Sequence, residues 1–361
     1  MPLSKIVANS ITDNTITTDQ IADTSVHGRR NVIINGAMQV AQRGTSFTNK
    51  AAGAVYRLDR WEVSSFNVGD GEHNISQSTT APDGFTFSTK IECAIQDTSQ
   101  DANNQFYYQQ QIEAQDINHL KFYESNPDSV TLSFHVRSNR TGTFPVALKL
   151  SDNNSADDNT ATRIYQVTYS VSSADTWEKK SVTFTLDSSA QTKSTGNNFG
   201  MAVQFWLGAG SSRAGATANA WGDNGNATIA ADNLDILGST SNDWYITGVQ
   251  LEVGDKATPF EHRSFGDELR RCQRYFEKND YRIGSVSSHS QTNRGYRYNI
   301  RHLVEKRATP TCTITETAKN RCSTPTSPNV FTGSVVLRTT NNNTDGDDFT
   351  ADGTYTIDAE L

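Results

Sequence analysis

The chain has 361 residues, room for two or three domains with ordinary cores, and carries a formal net charge of −8. That charge argues against duplex nucleic acid as a partner, because phosphate binding needs a clustered basic surface, and it opposes long-range attraction to an anionic membrane or an acidic glycan. Apolar residues make up 35%, below the roughly 45–50% of an average soluble domain on a count that includes Gly, and the Thr, Ser, Asn, Asp and Gln that replace them suit many short strands joined by polar turns.

The first segment, residues 1–30, contains IVANSITDNTITTDQIADTSV, whose apolar residues Ile6, Ile11, Ile16, Ile21 and Val26 recur every five positions. On a helix, five steps of about 100° turn each one roughly 140° from the last, so no stripe forms. On a strand an odd step sends successive side chains to opposite faces. A single chain cannot gather these residues onto one buried surface, so the spacing predicts burial by other chains. The segment ends in the basic stretch HGRR at 27–30.

Residues 31–263 read as a β-sandwich. They open with NVIINGAMQVAQRG, and alternating stretches follow: SVTLSFHVRS (129–138), FPVALKL (144–150), IYQVTYSV (164–171), KSVTFTL (180–186), FGMAVQFWLGAG and WYITGVQLEVG. Turn clusters such as SDNNSADDNT and DSSAQTKSTGNN separate them. Antiparallel sheets with one packed and one wet face produce this alternation. Next comes a linking helix, expected over 265–278 within a linker of 264–280. Ser264 is its N-cap, Asp267 and Glu268 occupy the first turn, and Phe265, Leu269, Cys272 and Phe276 form its apolar stripe. Arg270, Arg271 and Arg274 lie off the stripe, and the helix is expected to bridge and not to bind. Residues 281–361 form a smaller β unit, with strands expected in YRYNIRHLV, TPTCTITET, NVFTGSVVLRT and GTYTIDAEL and a hairpin loop in NNNTDGDD. About 80 residues fold alone only marginally, so packing against sister chains is expected here too. The fold class is therefore mostly β, a sandwich with one linking helix and a small C-terminal β domain.

The pentads, NVIINGAMQVAQRG, LDRW (58–61) and above all WYITGVQLEVGDKATPFEHRSFGDELRRCQRYFEK (244–278) resemble tail-fibre proteins of bacteriophages, especially those of marine phages; VEKRATPT and YTIDAEL match family endings. The resemblance covers most of the chain, with its specific motifs at the edges and weaker ones between about 65 and 240. It implies a homotrimer, in which three parallel chains point the five aliphatic residues at one another as a short shaft. Each buried aliphatic side chain would contribute roughly 1.5–3 kcal/mol. The alternative is a disordered polar tail. The sandwich also resembles the jelly rolls of carbohydrate-binding modules, which often begin with a strand reading like NVIINGAMQ and close with one like YITGVQLE, and many of which hold a structural calcium through an acid after the first strand and an Asp in the last. Met38-Gln39 and Thr247-Gly248 stand at those places here, so no metal is carried over.

For glycan recognition, aromatic faces meet the C–H side of a sugar and amides or carboxylates meet its hydroxyls. MAVQFWLGAGSSRAGATANAWGDNGN supplies Trp206, Arg213, Asn219, Trp221, Asp223 and Asn224 around a Gly-rich loop. Trp221, in a loop-like context, is the better candidate; Trp206 alternates within a strand, and packing is the competing reading of both. Trp61 and Trp177 are expected to pack. DNGN (223–226), DNLD (232–235) and DGDD (345–348) do not complete a calcium loop and read as turns. Cys93, Cys272, Cys312 and Cys322 show no metal-ligand spacing, and reduced thiols are the expected state. No histidine pair has HxxxH or HxH spacing, and there is no G-x-S-x-G elbow or P-loop. Paired carboxylates for glycoside cleavage leave no local signature, but the β-helix repeats usual in fibre depolymerases are missing.

The expectation is thus a non-enzymatic virion protein without a cofactor, a tail fibre assembled in the host cytoplasm. It would mediate host adsorption through a surface glycan or receptor and join other phage tail proteins through the N-terminal segment. The alternatives are a structural adaptor that positions another receptor-binding protein and, less favoured, a polysaccharide depolymerase. No apolar run approaches the ~20 residues of a membrane span, and no basic-then-apolar leader precedes the pentads. If the shaft reading holds, light scattering of the purified protein with an intact N-terminus gives a trimeric mass; a monomer refutes it.

Overall fold

In the computed structural model, the described residues are 30–50, 53–154, 163–223, 229, 235–285, 295–342 and 349–361. The pentad residues Ile6, Ile11, Ile16, Ile21 and Val26 lie outside them. The first unit runs through β1 (Ser46–Lys50), β2 (Gly53–Tyr56), β3 (Glu62–Phe66), β4 (Glu72–Ser78), β5 (Ser88–Ile95), β6 (Gln105–Glu113), a one-turn helix α1 (Ala114–Ile117), β7 (Ser129–Ser138) and β8 (Gly142–Leu150). It continues through β9 (Arg163–Val171), β10 (Glu178–Thr185), β11 (Phe199–Ala209), β12 (Trp221–Asp223) and β13 (Asp243–Val253). These strands form two antiparallel sheets, one six-stranded in the order β1-β4-β5-β13-β7-β10 and one seven-stranded in the order β12-β9-β8-β11-β6-β3-β2. From β5 onward the chain crosses between the sheets at most connections, the path of a jelly roll.

Period-two patterning fills the space between the sheets. Val130, Leu132, Phe134 and Val136 of β7 and Met201, Val203, Phe205 and Leu207 of β11 all point into one core. At its centre the Trp61 ring stacks on Tyr108, centroids 4.9 Å apart and planes at 13°. Trp244 meets Tyr108 edge-on and satisfies its indole N–H by donating to the Tyr169 hydroxyl at 3.2 Å. The predicted stretches fall on strands, with 129–138 coinciding with β7. The opening NVIINGAMQ differs: it is not a strand. Asn35 and Met38 take positive φ, 57° and 55°, and side-chain amides supplement two backbone bonds to β13, from Val32 N to the Leu251 carbonyl and from Val249 N to the Gly36 carbonyl. Asn31 Nδ2 donates to the Val249 carbonyl at 3.1 Å while its Oδ1 accepts from Leu251 N, also at 3.1 Å. Gly36 is needed because a Cβ there would lie 2.1 Å from the Val249 oxygen.

The linking helix α2 is Phe265–Gln273, with Ser264 capping it by accepting from the Asp267 N–H at 3.2 Å. It ends earlier than the apolar stripe predicts. Phe276 sits on the helical repeat but opens β14 (Phe276–Ser285), whose ladder to β19 (Phe349–Asp358) begins at that residue. The remaining strands are β15 (Gly295–Arg301), β16 (Thr311–Asn320), β17 (Thr326–Val330) and β18 (Ser334–Thr340); they complete two three-stranded sheets, β14-β19-β16 and β15-β18-β17. NVFTGSVVLRT thus divides between β17 and β18. Tyr281, Ile283, Val335, Leu337, Phe349 and Ile357 form this unit's core. All four cysteines are free thiols. The Cys272 thiol is pushed well up by burial, with Asp59 and Glu268 nearby adding to the shift.

Residues 358–361 return to the sandwich and are clasped there. Arg43 bonds Asp358 at 2.8 Å and Glu360 at 3.2 Å. Arg60, fully buried, bonds Glu360 and the Gln111 carbonyl and lies 3.5 Å from the Tyr275 ring centroid. Arg307 donates to the carbonyls of Ala359, Glu360 and Asn197 at 2.7–3.0 Å. Arg274, just past α2, makes a two-pronged pair with buried Glu113, both bonds 2.8 Å. Although burial raises the Glu113 carboxyl, these bonds hold it below its ordinary range. Removing one partner of a buried pair strands the other charge, at a cost of roughly 3–5 kcal/mol. Glu360→Gln is therefore expected to lower unfolding free energy by about 3 kcal/mol in denaturant titrations; wild-type stability would show that the clasp is not energetically coupled to the fold.

Candidate functional site

The outer side of the seven-stranded sheet is built by the residues that alternate with the core. Strand register aligns Trp206 with Tyr107 and Ser64, and Gln204 with Gln109 and Glu62. The amides are wired across three strands: Gln204 Nε2 donates to Gln109 Oε1 at 2.8 Å, and Gln109 Nε2 to Glu62 Oε1 at 3.0 Å. Gln111 Nε2 and the Ser64 hydroxyl also donate to Glu62. These side chains are recessed; Gln109 is 1% and Gln204 2% exposed. Buried amides must bond one another or lose their hydration without compensation, and the row meets most of that requirement internally, leaving the Gln111 Oε1 without a partner.

At one end of this side Trp206 packs against Tyr107, centroids 4.8 Å apart, in a cluster with Ala147, Ile164 and Ile229. Arg213 belongs to the segment around this cluster: its N–H donates to the Gly210 carbonyl at 2.9 Å and its carbonyl accepts from Ile229 at 3.0 Å. Beyond Ile164 lies an open cleft of about 410 Å³ lined by Ile164, Gln166, Ala216, Thr217, Trp221 and Asp223, among others. The Asn219 N–H donates to the Gln166 carbonyl at 2.9 Å, with Asn219 in the left-handed region that Asn tolerates (φ 60°).

The structure brings Trp221 and Asp223 to that cleft on β12, while Trp206 stands on the other face of the sheet from the Trp221 ring. Trp221 pairs with Tyr165, whose side chain belongs to the core, and packs edge-on to it at 5.3 Å. Its indole N–H donates to the Thr185 carbonyl at 2.8 Å. Trp221 is thus half-buried at the sandwich edge and not a free loop residue. Asp223 is 79% exposed at its side chain and shares Arg163 with Asp187, at 2.8 Å and 2.7 Å. Burial pulls the Arg163 guanidinium down, but the two carboxylates more than compensate and leave it raised. Asn224 lies outside the described residues, as do most of DNGN, DNLD and DGDD. Among the described residues no group of three or more His, Cys, Asp or Glu is arranged to hold a metal ion.

An apolar wall, a hydroxyl, amides and a carboxylate around a cleft of this size suit a small polar ligand with one hydrophobic side. Asp223 is the one acid among the described residues that line the cleft, and Arg163 ties it to the buried Asp187 behind it. The glutamine row was not singled out by sequence. Its signal is QFYYQQQIE, a strand whose outward positions are Tyr107, Gln109, Gln111 and Glu113.

No family model matches this chain, and no curated protein does. Among solved structures it is similar to the enzymatically active domain of tailspike protein 4 from Bacteriophage CBA120, at 9% identity and TM-score 0.31 over 62% of this chain and 21% of that one. It is similar to a CBM4 module at 15% identity and TM-score 0.30, covering 61% of this chain and 98% of that one. A family 11 carbohydrate-binding module of Clostridium thermocellum matches at 9% identity and TM-score 0.28, over 58% and 99% of the two chains. The chain thus spans about a fifth of the tailspike chain it matches. Likenesses this faint leave function to be argued from the site itself.

The two tryptophans are expected to differ on substitution. Trp206→Ala removes a fully packed indole and should cost roughly 3–5 kcal/mol. Trp221→Phe keeps a ring and loses one hydrogen bond, about 1 kcal/mol. Denaturant midpoints measure both, and equal losses would contradict the placement of the two side chains.

Proposed function

We propose that this chain is a homotrimeric tail-fibre protein of a phage virion that binds host surface carbohydrate through its sandwich. The observation that carries the reading is the cleft beside β9 and β12, where an apolar wall meets hydroxyl, amide and carboxylate groups. The tail-fibre motifs of the sequence support the virion setting. The pentads, LDRW and the 244–278 block all fit a protein whose N-terminal segment joins other tail proteins and whose body faces outward. Weak individual sites suffice in such a setting, because three copies per fibre and several fibres per particle convert low affinity into firm attachment. Binding without cleavage is the favoured mode, since Asp223 is the one acid among the described residues lining the cleft. Retaining and inverting hydrolysis both canonically use a pair of carboxyl groups flanking the bond.

A second reading, a structural adaptor that positions another receptor-binding protein, draws on the clasp at 358–361. Charged groups fix the smaller unit against the sandwich, as a spacer requires.

Binding of the purified protein to intact host-type cells, before and after periodate oxidation of their surface sugars, separates the two. Saturable binding that disappears on oxidation is the expected result. A folded trimer that binds neither preparation refutes adsorption and favours the adaptor, and binding that survives oxidation replaces the glycan with a protein receptor.

A further inference from the structure

The outer face of the six-stranded sheet is built differently from the recessed amide row on the opposite sheet. Register aligns one side chain from each of five strands in a row across it. Ser76 of β4 faces Lys90 of β5, Lys90 faces Tyr245 of β13, and Tyr245 faces Arg137 of β7. Because Glu178 of β10 pairs with Val136, the preceding residue, Trp177, comes beside Arg137. The intervening residues Ile75, Ile91, Trp244 and Val136 are all in the core, so the row points outward. At a strand spacing of about 4.8 Å, five strands span roughly 19 Å.

Tyr245 is the floor of this row, and the Arg137 guanidinium lies 4.8 Å from its ring centroid. The Trp177 ring meets Tyr245 edge-on at 6.1 Å and 72°, so no ring is stacked on either of its faces in that contact. Ser76, Lys90, Arg137 and Trp177 are each half-buried. This row is thus open to solvent, unlike the recessed Gln109 and Gln204 of the other sheet. Within the row the charges are paired, Arg137 with Asp175 at 2.7 Å and Lys90 with Glu92, while Lys179 stands exposed beside the row, opposite His135. An anionic polymer would have to displace those carboxylates, whereas a neutral one meets oriented donors and acceptors that are already compensated.

We propose that this face is a second carbohydrate-binding surface, a platform for an extended, neutral polysaccharide lying across the strands. Trp177 stacks against the C–H side of one sugar ring, and the Arg137–Asp175 and Lys90–Glu92 pairs and Ser76 hydrogen-bond hydroxyls along the row. The platform extends the carbohydrate reading to a face remote in register from the Trp221 cleft, so each site can fail alone.

Native-gel affinity electrophoresis of the full chain tests this, with dextran, mannan and mixed-linkage β-glucan as neutral probes and alginate as the acidic one. At least one neutral polysaccharide should retard the protein, and Trp177→Ala should weaken that retardation about tenfold, the order of one lost aromatic stacking contact. Trp177→Phe should retain part of it. Thermal unfolding of both variants close to wild type, as expected for a half-buried side chain, ties the loss to the ring and not to misfolding. Retardation by alginate alone, by none of the neutral probes, or undiminished in Trp177→Ala overturns the platform. Asp223→Ala reports separately on the cleft: loss there with Trp177→Ala unaffected would leave the cleft reading standing without the platform.

Discussion

A guanidinium sealed away from water is the constraint around which the two units are arranged. Arg60 is 1% exposed and bonds Glu360, which lies at the far end of the sequence. It arrives there because LDRW is a tight turn, closed by Trp61 N–H donating to the Leu58 carbonyl at 2.9 Å, with Arg60 at φ 70°. Within four residues the chain sends Leu58 and Trp61 into the sandwich core and Arg60 out toward the smaller unit. Asp59 meanwhile accepts from the Gln42 backbone N–H at 2.6 Å. Burial pushes the Asp59 carboxyl up to about 6, against the opposing pull of the Gln42 bonds and Arg43. A buried ion pair adds little net stability compared with an apolar replacement, because desolvation offsets most of the attraction. What it does impose is position: an arginine that cannot be left unpaired admits one placement of residues 358–361.

That placement has consequences for the sheets. Leu361 lies against Phe199 and Ala202, and Glu113 is taken by Arg274. One end of the seven-stranded sheet's outer side is therefore occupied by the chain itself, and the Trp206 cluster fills the other. Between them stands a glutamine row whose amides bond one another and Glu62. Lys306 and Glu277, both buried and 2.5 Å apart, extend the charged seam on the side of the smaller unit. Burial lowers the Lys306 ammonium despite this partner. The seam sets these charged pairs beside small apolar contacts, Leu361 on Phe199 and Ala202 and Tyr275 with Ile34 and Val40; the matched charges add position to that apolar area.

The strands were legible because alternation is enforced by the pleat; Val130 to Val136 and Met201 to Leu207 could not face any other way. The N-cap of α2 was legible for an equally local reason, the Ser264 hydroxyl three residues before a free N–H. The end of α2 was not, because Phe276 fits a helical stripe and a strand equally well and only its ladder partner Asp358 decides. NVIINGAMQ failed as a strand because amide side chains, invisible to a hydrophobic pattern, supply much of its hydrogen bonding and positive φ at Asn35 and Met38 breaks its extension. Trp206 and Trp221 looked like one site in sequence. Strand parity against neighbours far along the chain puts their rings on different faces, and no local window contains those neighbours.

Parity tells which residues leave the core but not whether what they meet is solvent. Gln109, Gln204, Lys90 and Arg137 all read as wet-face residues, and in sequence nothing separates the first two from the last two. In the fold the amides are sealed while the cations stay half-open beside Trp177. The difference arises from the connections: the clasp crowds one sheet, whereas the β9–β10 turn folds a single tryptophan onto the other. A chain with net charge −8 gains nothing at long range from an acidic polymer, and the locally balanced pairs around Tyr245 gain nothing at short range either. Both scales of electrostatics favour a ligand read by shape and hydroxyl geometry.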